Sequence, residues 1–190
     1  MGNVRSIRTA HAKPKAIEFF AGIGLARMGL EKAGFQVAWA NDYEPDKRDM
    51  YVAQFGESEG HTFALGDVGK VDVAELPTDA ALAWASSPCT DLSLAGGRAG
   101  LAGAESGVFW HFVTLLKKLE NNRPPVIVLE NVTGLATSHG GDDLCAAITA
   151  FNDLGYSVAV VALDTRRFLP QSRPRMFVIG AQNPPADTVE

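Results

Sequence analysis

The sequence is short of the features that mark several protein classes. Of its 190 residues only two are cysteines, Cys89 and Cys145, too few for a disulfide framework or a structural zinc site. Its longest apolar stretch, Ile17 to Leu30, is interrupted by Glu18 and Arg27, whereas a membrane span needs about 20 apolar residues. The opening segment carries Arg5, Arg8, His11, Lys13 and Lys15 with no apolar block behind a small-residue cleavage site, so it does not read as a signal peptide. These absences point to a reducing, cytoplasmic setting without membrane or metal. Positive charge is scarce as well: the formal net charge is −5, which by itself argues against a nucleic-acid partner, since phosphates are bound by Lys and Arg.

What is present is an ordinary globular composition, 46% hydrophobic and 21% charged, in a chain long enough to bury a proper core. Disorder, collagen-like repeats and coiled coil are excluded. The charge deficit is uneven, because Arg166, Arg167, Arg173 and Arg175 stand between Leu163 and Met176 against a single acid, Asp164.

Apolar runs alternate with helix-period segments. Strands are expected over Ala16–Phe20, Gln36–Ala40, His61–Leu65, Ala80–Ala85, Val126–Leu129, Tyr156–Leu163 and Met176–Ala181. Helices are expected over Ile23–Ala33, ended by Gly34; Pro45–Phe55, with proline in its first turn; Glu105–Leu119; and Gly141–Leu154, ended by Gly155. Strand–helix alternation predicts an α/β fold, a doubly wound, mostly parallel seven-stranded sheet with right-handed crossovers. The last two strands, joined without a helix, should pair antiparallel at one edge. Residues 16–182 read as one core, flanked by loose segments at 1–15 and 183–190.

Four places could carry chemistry. The turn Phe20-Ala21-Gly22-Ile23-Gly24-Leu25 follows the first strand, where ligands bind in open α/β sheets and glycines admit close backbone approach. Asp42 stands at the end of the second strand, 20 positions beyond Gly22, where a carboxylate can accept ribose hydroxyls. Tyr43 could pack on an adenine and Asp67 meet its amino group. A dinucleotide site is also conceivable, but a third glycine is not in place; no Lys-Ser/Thr pair follows, so the turn is not a P-loop. Pro88-Cys89, in a Gly- and Ala-rich loop after the fourth strand, is placed like a nucleophile, whose reactivity depends on its thiolate. Cys145, within an amphipathic helix pattern, reads as a plain structural thiol. Glu130-Asn131-Val132 follows the fifth strand, and burial there would raise the carboxyl's pKa and let it donate a hydrogen bond. Gln171-Ser172-Arg173-Pro174-Arg175 places alternate arginines on one side of an extended segment, suited to a carboxylate, a phosphate or a base carbonyl.

In this order the motifs resemble those of the DNA (cytosine-5) methyltransferases, from about Ala16 to Ala181. The resemblance implies a Rossmann-like, S-adenosylmethionine-dependent methyltransferase fold. It assigns the cofactor, and its product S-adenosylhomocysteine, to Phe20, Ala21, Gly22, Ile23, Gly24, Leu25, Asp42, Tyr43, Asp67, Val68, Pro88 and Val108. It implies that Cys89 adds to carbon 6 of a flipped cytosine. Glu130 would hydrogen-bond ring nitrogen 3, Arg175 the base carbonyl, and Arg173 would support that geometry. Ser93, Arg98, Asn131, Val132 and Gln171 would contact the substrate, double-stranded DNA, with the loop around Gly96, Gly97, Gly100 and Gly103 closing as a lid. The expected setting is DNA-associated and cytoplasmic, of the restriction–modification kind. Thr90, Leu92 and Leu25 depart from the family pattern, in which Gln, Phe and Gly are usual. The family's target-recognition domain and final Gly-Asn motif have no counterpart here, which implies a catalytic core that is weak alone or served by a separate recognition chain. Two other readings share parts of the pattern: a tRNA cytosine-5 methyltransferase, whose branch has Pro-Pro-Cys in place of Ser87-Pro88-Cys89, and a non-catalytic cofactor-binding relative.

Overall fold

The structure, a computed structural model, describes residues 12–88 and 108–184. Strand β1 (Lys15–Phe19) leads into helix α1 (Leu25–Lys32), followed by β2 (Gln36–Asp42), α2 (Pro45–Phe55), β3 (Thr62–Leu65) and β4 (Ala80–Ala85). Then come α3 (Val108–Lys118), β5 (Val126–Asn131), α4 (Asp142–Asp153), β6 (Ser157–Asp164) and β7 (Pro174–Ala181). Among the described residues no helix is long and apolar enough to cross a membrane.

Local chemistry accounts for the element ends. Gly34 (φ 96°) and Gly155 (φ 88°) adopt the left-handed conformation just past α1 and α4. Each closes its helix with a pair of backbone bonds, Gly34 to Glu31 and Phe35 to Leu30 in one, Gly155 to Asn152 and Tyr156 to Phe151 in the other. Pro45 opens α2, where a missing N–H costs nothing. Helix α1 starts at Leu25, two residues later than its apolar spacing predicts, because Gly22 and Gly24 have positive φ (56° and 85°) and keep the preceding turn out of the helix.

The seven strands form one sheet in the order β3-β2-β1-β4-β5-β7-β6. Six run in the same direction, and β7 is antiparallel to both its neighbours. The predicted antiparallel edge pair is present, but β7 inserts between β5 and β6. The crossover through α4 leaves a one-strand gap, and the short return from β6 fits only a hairpin into it. Ile17, Phe19, Trp39, Phe112, Ile127, Leu129 and Phe151 fill the space beneath α3 and α4, with Phe19 at 5.1 Å from Trp39 and 5.0 Å from Phe112 between ring centres. Leu30 of α1 packs over Ala16, Val37, Leu82 and Val128 on the opposite face. Because β1 pairs with β2 on one side and β4 on the other, its carboxyl end is the topological switch point, and a crevice opens there.

Candidate active site

The crevice is a cavity of about 380 Å³ lined by Phe20, Asn41, Tyr43, Gly66, Asp67, Val68, Pro88 and Val108. Its floor is a pair of interlocked turns. Phe20 has a left-handed backbone (φ 58°), uncommon for a bulky residue and tolerated only where the surroundings enforce it. Ala21 extends the β1–β2 ladder by donating its N–H to Asn41 (2.9 Å), and Gly24 closes the turn by donating to the Ala21 carbonyl (2.9 Å). A Cβ on Gly24 would stand 2.3 Å from the Phe55 ring, so this position requires glycine on two counts.

Asp42 holds the turn together. It is 5% exposed and accepts hydrogen bonds from the Gly22 N–H (2.8 Å) and the Glu44 N–H (3.1 Å). The sequence marks Asp42 as a ribose ligand; the structure shows that its carboxylate also ties the β1 turn to the end of β2. Each oxygen retains a lone pair for a further donor. Asn41 secures the next turn, donating to the carbonyls of Ala64 (2.8 Å) and Gly66 (2.9 Å). Asp67 caps the turn Val68–Lys70 through the Gly69 N–H (2.8 Å) and lines the cavity as an exposed residue, while Val68 anchors the wall in the core. Of the predicted cofactor residues, Ile23 and Leu25 point outward, at 43% and 68% exposed. Leu25 stands where the family usually has glycine, and its helical backbone needs none.

Beneath this turn lies a polar cluster that composition and periodicity did not mark as functional. Glu18, on β1, is 1% exposed, and its Oε2 has no hydrogen-bond partner among the described residues. Burial pushes its carboxyl up to about 8, against the pull of the Arg27 N–H and guanidinium and of Tyr51. Arg27 bonds Glu31 (2.7 Å) and the Tyr51 hydroxyl (3.3 Å) and lies over the Phe55 ring at 4.3 Å. Burial raises the Tyr51 hydroxyl's pKa and lowers that of the stacked His61. The one signal in the sequence was the interruption of an apolar stretch by Glu18 and Arg27.

The second half of the site stands at the carboxyl end of β5. Glu130 Oε1 lies 2.9 Å from Arg175 Nε, with the two side chains 20% and 22% exposed. The register explains the meeting: Glu130 faces Phe177 across β5–β7, and Arg175 is the diagonal neighbour two residues away on the same face. Glu130 is thus half-buried and held by a guanidinium, rather than sealed in apolar surroundings. Asn131 is 3% exposed; it accepts from the Val132 N–H (2.8 Å) and donates to Ser87 Oγ (3.4 Å). It therefore fastens the β5 end to the residue preceding Pro88. Gln171 and Arg173 lie in the exposed turn between β6 and β7, where Asp164 organises the backbone by accepting from the N–H groups of Arg166 (3.0 Å) and Arg173 (2.9 Å). Cys89, Ser93 and Arg98 fall outside the described residues; Pro88 and Val108, which bracket them, both line the cavity.

The geometry is matched by three kinds of similarity. Residues 14–188 match the family model described as C-5 cytosine-specific DNA methylase. The type II methyltransferase M.NgoBI of Neisseria gonorrhoeae is 32% identical over 87% of this chain and 50% of its own length. The type II methyltransferase M.MspI of Moraxella sp is 31% identical over 89% of this chain and 39% of its own. Among solved structures, the Dnmt2 methyltransferase of S. pombe superposes with a TM-score of 0.71 at 22% identity, covering 90% of this chain and 51% of that one. The Entamoeba histolytica methyltransferase EhMeth gives 0.76 at 18% identity, over 94% and 56%. The chain spans about half the length, or less, of the curated relatives it matches.

Proposed function

The chain belongs to the C-5 cytosine-specific DNA methylase family, and from that premise we propose that it is a catalytic core transferring a methyl group from S-adenosylmethionine to carbon 5 of cytosine in DNA. The observation that carries this reading is the Glu130–Arg175 pair, 2.9 Å apart at the carboxyl end of β5. Ring nitrogen 3 and the carbonyl oxygen of cytosine are neighbouring atoms on one edge of the base. A carboxyl and a guanidinium side by side match that edge. Asn131, through Ser87, links this pair to the loop that enters Cys89.

The cavity suits the cofactor. Phe20, Tyr43, Val68 and Val108 offer apolar and aromatic walls for an adenine and Asp67 a partner for its amino group, while Asp42, between the lining residues Asn41 and Tyr43 in the chain, is the acceptor for ribose hydroxyls. When bound, the cofactor supplies an electrophilic methyl group on a sulfonium. The chain must make carbon 5 nucleophilic. The Cys89 thiolate adds to carbon 6, forming the C6–S bond and moving the double-bond electrons toward nitrogen 3 and the carbonyl oxygen. Glu130, in its protonated form, donates to nitrogen 3, and Arg175 donates to the oxygen, stabilising that charge where it develops. Carbon 5, so activated, would accept the methyl group the cofactor gives up; a base would then remove the carbon 5 proton, and the C6–S bond would break to return the Cys89 thiolate. The target nucleotide must leave the stack to reach these groups.

The test is a duplex carrying 5-fluorocytosine at candidate sites, with S-adenosylmethionine present. Fluorine cannot leave as a cation, so the covalent adduct is trapped. A denaturation-resistant adduct is expected from the native sequence and not from Cys89→Ala; an undiminished adduct in that variant would exclude Cys89 as nucleophile. In its isolated 190-residue form the chain should give a low yield, raised by adding in trans the half that its relatives carry.

A further inference from the structure

The turn between β6 and β7 carries, besides Gln171 and Arg173 of the motif, features that the methyl-transfer site does not use. Asp164 and Pro174 close the ladder, and the nine residues between them project beyond the same carboxyl edge that holds Glu130. The turn is built to keep one shape. Asp164 accepts from two backbone N–H groups and from Ser172 Oγ (3.1 Å), and Ser172 accepts from Arg166 Nη2 (2.8 Å). Thr165 Oγ1 donates to the Arg173 carbonyl across the base of the turn (3.0 Å). At its tip this frame presents Phe168, 72% exposed, and Leu169, 56% exposed. Two neighbouring large apolar side chains held outward on a fixed backbone offer a small preformed patch to a partner.

The charge around the ring indicates the partner. Of the four arginines in this segment, Arg166 is paired with Asp164 (3.3 Å) and Arg175 with Glu130. The side chains of Arg167 and Arg173 make no ion pair among the described residues, and both are exposed. An aromatic on a fixed backbone, next in sequence to the uncommitted guanidinium of Arg167, on a chain of net charge −5, fits a polyanion that also offers flat apolar faces. Nucleic acid combines the two: phosphates for the arginines, and base faces on which aromatic side chains stack.

We propose that the turn 165–173 is a nucleic-acid contact in which Phe168 stacks on a base face exposed when the target nucleotide leaves the helix, while Arg167 neutralises a flanking phosphate. The proposal rests on the DNA-modifying reading above and adds a residue outside the family's motifs. It also supplies a partial repayment for base flipping, since the vacated stack regains an aromatic neighbour.

The experiment uses the 190-residue chain and fluorescein-labelled oligonucleotides: an intact duplex, the same duplex with one abasic site, and a single strand, followed by anisotropy across a salt series. Phe168→Ala should weaken binding to the abasic duplex about tenfold, the range of one base–aromatic stack, and bind the intact duplex nearly as well as the native chain. Phe168→Trp should restore it. Arg167→Gln should weaken all three probes alike and reduce the salt slope by about one. Thermal melting should be unchanged in each variant, as these side chains are exposed. Equal affinity of Phe168→Ala and the native chain for the abasic duplex overturns the proposal, as would be seen if Phe168 met protein instead. Failure of the native chain to bind any probe also overturns it, and leaves the methyltransferase reading standing if calorimetry shows cofactor binding. Abasic-duplex binding that depends on Phe168, with neither cofactor binding nor adduct, would instead sink the enzymatic reading.

Discussion

The carboxyl edge of the sheet is built by different means on either side of the switch point. On the β1–β2–β3 side the site is mostly backbone. Left-handed turns at Phe20, Gly22 and Gly24 are fixed by Asp42, and below them the Glu18–Arg27–Tyr51 cluster is covered by α1 and α2. On the β5–β7–β6 side the site is side chains, Glu130 against Arg175, on a rim that stays partly open. Apolar residues Val161 and Leu163 of β6 are 37% and 39% exposed on the same sheet face as Phe177 and Arg175. The difference teaches that the turns on the β1–β2–β3 side are fixed by their own hydrogen bonds and should hold their shape alone. The Glu130–Arg175 side is held by one side-chain ion pair on an open rim, so its geometry is the easier of the two to change.

The largest expected effect lies on the open side. Glu130→Gln keeps the shape of the side chain and removes its acid–base capacity; adduct formation with 5-fluorocytosine DNA should slow by about 100-fold or more, the range of general acid–base contributions. Cofactor affinity by calorimetry should stay within about twofold; a comparable loss there would show that the halves are not separable. On the closed side, Gly24→Ala forces a Cβ into the Phe55 ring at a backbone angle that disfavours it. A destabilisation of about 2–4 kcal/mol is expected in denaturant melts, with weakened cofactor binding; native stability would remove steric strain from the account of this turn.

Glu18 provides a pH test. Its folded carboxyl titrates at about 8 against an ordinary 4.5, so between those values the folded chain holds a proton that the unfolded chain has released. This contribution to stability is full below pH 4.5, falls as pH rises, and is lost above about 8. Glu18→Gln should therefore gain stability over the native chain on going from pH 5 to pH 9, by an amount on the order of a few kcal/mol. His61, whose burial favours the neutral ring, acts oppositely at lower pH and cancels in the difference. A pH-independent difference between the two melts would contradict the buried acid. The smallest effect is Leu25→Gly, which restores the family's usual glycine; affinity should not change and stability should fall by at most about 1 kcal/mol.

Much of this architecture was legible in the chain because local rules and tertiary packing agree. Pro45, Gly34 and Gly155 mark helix ends that the structure reproduces, and the apolar run at Val126 is a strand buried in the middle of a sheet. The insertion of β7 between β5 and β6 was not legible, since strand order depends on which gap a crossover leaves. Nor was the Glu18 cluster, because its members are scattered over β1, α1 and α2 and carry no motif spacing. Asp42 was found for its position, but its bond to Gly22 could be seen only once the two turns met. For Cys89, Ser93 and Arg98 the sequence motif carries the assignment.

The central claim of the proposed function is that the turns around Asp42 bind the cofactor independently of the Glu130–Arg175 pair that meets the base. A calorimetric titration of the chain and its variants with S-adenosylhomocysteine tests it most directly. The account predicts one site in the native chain, retained in Cys89→Ala and Glu130→Gln and abolished or greatly weakened in Asp42→Ala. Binding that survives Asp42→Ala unchanged, or that disappears with Glu130→Gln, would contradict it.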